Sequence, residues 1–240
     1  MEPMARAAGE FTAYGPSHWA VLAVTVLGAT GLVLFGRHGD ARLVERCCQV
    51  GAVLILVLNV GMEIAALRFD QLVHTLPLQL SDLAPYVSAY ALWTRRPLAF
   101  ALTFFWCLTL STQALLTPVL SGPDFPSESF LAFFTIHVLV IWAAIFLAWG
   151  VGLRPDWRGY GFTVLVTVCW AAVMIVFNAV AGTNYGFLNA KPPTETVLNA
   201  LGPWPWYLLP ETALVVGGWA VLTLVCRRRA DSTVGAGQPG

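Results

Sequence analysis

The chain has 240 residues, 58% of them hydrophobic and only 11% charged, with a mean hydropathy of +0.70. Soluble domains carry about a quarter charged residues, so a soluble fold is excluded. Thirteen basic residues balance thirteen acidic ones, and the only basic run is Arg227 to Arg229, which argues against a nucleic-acid partner.

Apolar runs occur at roughly 17–36, 43–66, 76–93, 97–118, 129–150, 160–181 and 205–226. Each is long enough to cross a bilayer, and none alternates as a barrel strand does. The expected fold is therefore all-α, a polytopic seven-transmembrane-helix bundle whose backbone groups are satisfied within each span. Residues 1–16 form a short segment before the first run, which is too long for a signal-peptide core and reads as retained. Residues 227–240 form a tail, and its end, "ADSTVGAGQPG", reads as disordered.

The connections after runs 1, 3 and 5 and the tail hold Arg37, Arg42, Arg46, Arg95, Arg96, Arg154, Arg158 and Arg227 to Arg229. The other side holds Arg6, Arg68 and Lys191. That alternation predicts an extracytoplasmic N-terminus, a cytoplasmic C-terminus and a multi-pass cell-membrane protein with seven spans rather than six. Cys47, Cys48, Cys107, Cys169 and Cys226 fall within spans or toward the cytoplasmic side, so no disulfide framework is expected.

The informative residues are the polar ones inside the spans. Glu63 lies near the outer end of run 2, and Gln79, Ser81 and Asp82 open run 3. Gln113 lies near the outer end of run 4, and His137 is about 10 Å inside run 5 at 1.5 Å per residue. Asn178 lies near the outer end of run 6, and Glu211 in the first turns of run 7. All map to the outer half of the membrane. Intramembrane polar groups are costly and usually face a cavity, so the set predicts one shared pocket opening outward. Each residue taken singly also has an ordinary role open to it. Carboxylates near helix ends snorkel, Gln and Asn tie helices together, and Ser81 can bond back to its own helix.

The connection between runs 6 and 7 contains "NYGFLNAKPPTETVLNALGPWPWYLLPE". Long connections in compact bundles are often lids, and Pro192, Pro193, Pro203 and Pro205 stiffen this one. Trp204, Trp206 and Tyr207 suit a membrane interface. Pro210 is expected to leave the carbonyl of Trp206 without a helical partner. The segment reads either as an aromatic belt or as a stiff cover over the polar level, with Glu211 at its edge.

The blocks "NYGFLNAKP" (Asn184, Tyr185 through Lys191 and Pro192) and "LGPWPWY" resemble the signature of YwaF-type bacterial integral membrane proteins. Eukaryotic transmembrane protein 164 is related to that family. "LPLQLSDLA", "QALLTP" and the following His137 are similar to other family blocks, so the likeness covers about residues 60 to 210. The resemblance implies a seven-span protein. It also implies lipid acyl chemistry, because the eukaryotic relative is regarded as an acyltransferase using a Cys and a His. More remote relatives, the androgen-induced fatty-acid-ester hydrolases, pair a Thr with a His. Here Gln79 and Ser81 stand where the family block has His and Cys.

A Ser–His pair is chemically competent when the imidazole removes the hydroxyl proton. His137 is the only histidine at pocket depth, and Asp82, Glu63 or Glu211 are candidates to orient it. Gln79, Gln113 and Asn178 are candidate oxyanion donors. No cofactor is expected, since phosphate-binding and haem motifs are absent from the sequence, and no metal, since a site from His74, His137 and a carboxylate is a weak ligand set. The expected partner is membrane lipid, with a lipid or small molecule as ligand. Two function classes stay open, a lipid acyl-ester hydrolase or acyltransferase and a non-catalytic bundle that binds or passes a small solute.

Overall fold

A computed structural model describes residues 9–120, 122–191 and 200–235, with side chains described as far as Arg227. Its described elements are helical. They are α1 (Pro16–His38), α2 (Ala41–Ala66), α3 (Leu72–Thr75), α4 (Leu80–Thr94), α5 (Pro97–Trp106), α6 (Thr112–Leu116), α7 (Glu128–Ile145), α8 (Trp157–Ala181) and α9 (Leu208–Gly235). A π-helical turn, Cys107–Ser111, joins α5 to α6, and another, Phe146–Gly150, ends α7. Six helices are long and apolar enough to cross a membrane: α1, α2, the α5–α6 rod, α7 with its π turn, α8 and α9 to Arg227.

The expected third span, 76–93, is shorter than its apolar run. Helix α4 has 15 residues, or about 22 Å of rise. Its start is set locally. Gln79 is extended at φ −65° and ψ 151°, and Asp82 Oδ2 accepts from the Gln79 N–H at 2.9 Å. That bond satisfies one N–H of the kind a helix start leaves open. The last helix begins at Leu208 rather than 205 and continues to Gly235, through most of the polar tail; residues 236–240 lie outside the described residues.

The core is layered around α5. Residues Ala99 to Trp106 are all buried, as expected of a helix apolar on every side. Phe100, Phe104, Phe105 and Trp106 pack with Ala84, Ala91 and Leu92 of α4, Val140 and Ala144 of α7, and Leu147 of the π turn that ends it. In the membrane-length windows, 61% of residues are buried for the α5–α6 rod against 11% for α1, α8 and α9. The outer helices therefore leave apolar side chains such as Leu27, Val176 and Leu214 exposed, as lipid contact requires. Close approach between α1 and α7 depends on small residues. A Cβ at Gly28 would meet the Trp142 ring at 2.1 Å, and one at Gly36 would meet Gly150 Cα at 2.6 Å.

A second cluster, Phe11, Leu115, Phe130, Phe134, Val138 and Ile141, ties the N-terminal segment to α6 and α7. Backbone bonds reinforce it, from Phe11 N to the Gly122 carbonyl at 2.9 Å and from Asp124 N to the Gly9 carbonyl at 2.8 Å. The end of the bundle with these contacts also holds the α8–α9 connection and is called the loop end below. The opposite end is the basic end. Cys47, Cys48, Cys107 and Cys169 are free thiols.

Candidate functional site

At the loop end, α8 stops at Gly182, whose φ of +68° is the left-handed conformation that ends many helices. The connection then folds back onto Asn178, which is 2% exposed. Asn178 Oδ1 accepts from the Tyr185 N–H and from the Thr183 hydroxyl, each at 2.8 Å. Its Nδ2 donates to the Tyr185 carbonyl at 3.0 Å and to Asn189 Oδ1 at 3.1 Å. An amide has two donors and two acceptor sites, so this side chain is saturated. Asn184 closes the next turn, accepting from Asn189 N and Ala190 N and donating to the Ala190 carbonyl at 2.8 Å.

The same connection is fastened to the start of α4. The buried Tyr185 hydroxyl is 3.0 Å from the Val73 carbonyl and 2.9 Å from that of Leu76. Burial, with the Asp82 charge adding to it, pushes the Tyr185 phenol above its ordinary pKa. Gln79 Oε1 accepts from Gly186 N at 2.7 Å. Gly186 has φ +69°, and a Cβ there would lie 2.4 Å from the Trp170 ring, so glycine is required twice over. His74, Gln79, Thr183, Asn184 and Tyr185 line an open cleft of about 120 Å³, room for a few water molecules.

The aromatic segment divides. Trp204 Nε1 donates to the Leu188 carbonyl at 2.9 Å, and the fully buried Tyr207 donates its hydroxyl to the Phe187 carbonyl. Lys191 Nζ lies 5.6 Å from the Tyr207 ring centroid, a cation–π contact. Trp206 is 66% exposed and faces outward. Pro192 and Pro193 lie outside the described residues. The expectation for Pro210 is corrected. The carbonyl of Trp206 accepts from Leu209 N at 3.3 Å, because Pro210 falls in the first turn of α9. A proline there removes an N–H that has no intrahelical partner in any case.

A second grouping lies between α2 and α4. Glu63 Oε1 accepts from Asn59 Nδ2 at 2.7 Å, and its other oxygen accepts from the Tyr86 hydroxyl. Asn59 is 4% exposed. Neither Asn59 nor Tyr86 was singled out by depth. Their signal is helical spacing: Asn59 is one turn before Glu63, and Tyr86 one turn after Asp82.

The other polar residues belong to neither grouping. Ser81 and Gln113 are exposed, Glu211 is half-buried, and among the described residues none of these side chains has a hydrogen bond. His137 is half-buried, and its Nδ1 lies 2.6 Å from the Phe133 carbonyl one turn earlier. A carbonyl only accepts, so Nδ1 carries the proton and Nε2 presents a lone pair. No hydrogen bond joins His137 to Ser81, Asp82, Glu63 or Glu211 among the described residues.

His18 is the instructive contrast. It is 0% exposed, accepts at Nδ1 from Tyr14 N at 2.8 Å and donates from Nε2 to the Leu115 carbonyl at 2.8 Å. Both nitrogens are occupied, so His18 is a structural cross-link between α1 and α6. His38 repeats the Nδ1-to-carbonyl bond, to Leu34 at 3.0 Å, but sits exposed at the basic end. Among the described residues no group of three or more His, Cys, Asp or Glu is placed to hold a metal ion.

The sequence model of the TMEM164 family matches residues 13–223, nearly the whole bundle. An uncharacterized protein of Treponema pallidum (strain Nichols) is 29% identical over 219 residues, 90% of this chain and 89% of its own length. No solved structure gives a significant match. A match over that much of the chain leads to one conclusion: the chain belongs to the TMEM164 family.

Proposed function

We propose that the protein is a lipid acyl-ester hydrolase or acyltransferase working from the outer leaflet of the cell membrane. His137 is its general base and Ser81 its nucleophile. In this reading the chain makes seven passes, with α4 as a short third one, so that the loop end is extracytoplasmic and the C-terminus cytoplasmic. The observation that carries the reading is the His137 ring, tethered at Nδ1 with a bare Nε2 beside the membrane core. An imidazole fixed in that tautomer is the form needed to take a hydroxyl proton.

Ser81 supports it as a hydroxyl with no hydrogen-bond partner among the described residues, at the first turn of α4, which packs against α7. Its Oγ attacks the ester carbonyl while Nε2 of His137 takes the proton. The imidazolium then returns that proton to the departing lysolipid oxygen. Water or a second lysolipid, deprotonated in the same way, releases the acyl group from Ser81. Approach of Ser81 to His137 is the movement that this chemistry requires, since catalytic contacts often tighten only with substrate bound. Gln113, exposed and unbonded among the described residues, and the Gln79 Nε2, whose companion oxygen alone is taken by Gly186 N, are the candidate oxyanion donors, whereas both N–H groups of Asn178 are committed to the α8–α9 connection.

That same commitment favours a second reading, a non-catalytic bundle that binds lipid or a small solute. A fluorophosphonate probe, together with release of labelled fatty acid from phospholipid in reconstituted vesicles, separates the two. The catalytic reading expects labelling of the parent, none of Ser81→Ala, and at least about a hundredfold loss of turnover in His137→Ala. Equal turnover by the parent and both folded variants sinks it.

A further inference from the structure

A groove of about 730 Å³ lies at the basic end, where the C-terminal half of α4 meets the beginnings of α5 and α8. Arg96, Arg158 and Asp156 lie along its mouth, with Tyr86 and Tyr90 on one wall and Val87, Leu98, Leu102 and Phe162 on the others.

The sequence sets this geometry. Arg95 adopts φ +53° and ends α4, and Pro97 starts α5 two residues later, leaving Arg96 at the turn between them. Helix α8 comes alongside α5 because Gly159 has no side chain. A Cβ there would sit 2.7 Å from the Ala101 Cβ, so the two helix beginnings lie against each other. Arg158, next to that glycine, is thereby carried to the same groove as Arg96.

The charges are not matched within the protein. Among the described residues the only ion pair is Arg95 with Glu45, at 2.9 Å. Both groove arginines are exposed, and neither side chain has a hydrogen bond among those residues. Asp156 is the one acid at the mouth, and its Oδ1 accepts from Gly159 N at 2.7 Å, capping α8. The start of α5 has no capping side chain, so its dipole adds to the positive field there.

We infer that this groove holds one anionic phospholipid of the leaflet at the basic end. Its phosphate is gripped by Arg96 and Arg158, and an acyl chain lies along Leu98, Leu102 and Phe162. The guanidinium fork matches phosphate oxygens, and the volume falls in the range of ligand sites, with apolar walls continuing below the charges. A soluble anion would use the arginines and leave those walls without an occupant. The site is separate from His137, so it stands or falls independently of acyl chemistry.

The test is native mass spectrometry of the full chain released from nanodiscs of phosphatidylcholine and phosphatidylglycerol. The parent is expected to retain one phosphatidylglycerol, and the double variant Arg96→Gln, Arg158→Gln at least about tenfold less. Both positions are exposed, and thermal unfolding verifies that the variant is folded. Arg42→Gln, on the same face but outside the groove, is expected to retain lipid like the parent. Retention by the double variant equal to the parent's overturns the site. Equal loss in Arg42→Gln overturns it too, because it would report only general attraction of the leaflet to basic side chains. A third arm titrates inorganic phosphate onto the protein in the same mixed nanodiscs. Phosphate that displaces nothing supports the lipid, whereas phosphate that strips phosphatidylglycerol at equal concentration assigns the site to a soluble anion.

Discussion

The α8–α9 connection and the surroundings of His137 lie at the same end of the bundle, and both put polar groups near a membrane core. They differ in what those groups have left to offer. In the connection, Asn178 uses all four of its hydrogen-bonding positions, and Tyr185, Gln79, Trp204 and Tyr207 are each bonded to backbone. The Nε2 of His137 and the side chains of Ser81 and Gln113 have no such partner among the described residues. Depth in a bilayer marks a side chain as costly to place there. Only the count of its satisfied partners separates a fastener from a reagent.

The sharpest way to break that contrast is to remove the fastener at the centre. Asn178→Leu leaves the Tyr185 N–H and the Thr183 hydroxyl without their acceptor in a buried place, so stability should fall by about 2–4 kcal/mol. Thermal unfolding in detergent measures it, and a midpoint unmoved by the change would show that saturation does not hold the connection. The two histidines give the next largest effect. His18→Leu should cost about 2–3 kcal/mol, since it orphans Tyr14 N and the Leu115 carbonyl, whereas His137→Leu should cost less than about 1 kcal/mol. Equal losses would place His137 among the structural groups. The smallest effect is expected of Trp204→Phe, which gives up one half-exposed bond to the Leu188 carbonyl, worth about 0.5–1 kcal/mol. Protease sensitivity of the connection should rise more in Asn178→Leu than in Trp204→Phe.

Much of the helical frame is legible from composition, because an apolar run of about 20 residues in lipid has few alternatives to a helix. The start of α4 is less so. Its apolar run begins at residue 76, but Pro77 and the extended Gln79 delay the helix to Leu80, a local backbone preference that hydropathy does not register. The polar level is also visible in the sequence, residue by residue. Its division is not, since Tyr185 finds carbonyls of Val73 and Leu76 more than a hundred residues away. Nor is the Glu63–Tyr86 contact visible, because tyrosine inside an apolar helix is unremarkable until its hydroxyl is given a partner. Arg96 and Arg158 look like ordinary topology-setting charges in the sequence. The Gly159–Ala101 approach is what brings them to one groove.

The most direct test of the account is the protonation pattern of the His137 ring, read by nitrogen-15 NMR of histidine-labelled protein at neutral pH. The account predicts a protonated Nδ1 and a bare Nε2 for His137, with the opposite pattern, a protonated Nε2, for His18. A His137 ring protonated at Nε2 and bare at Nδ1 would contradict it, because the nitrogen assigned to accept the serine proton would already hold one.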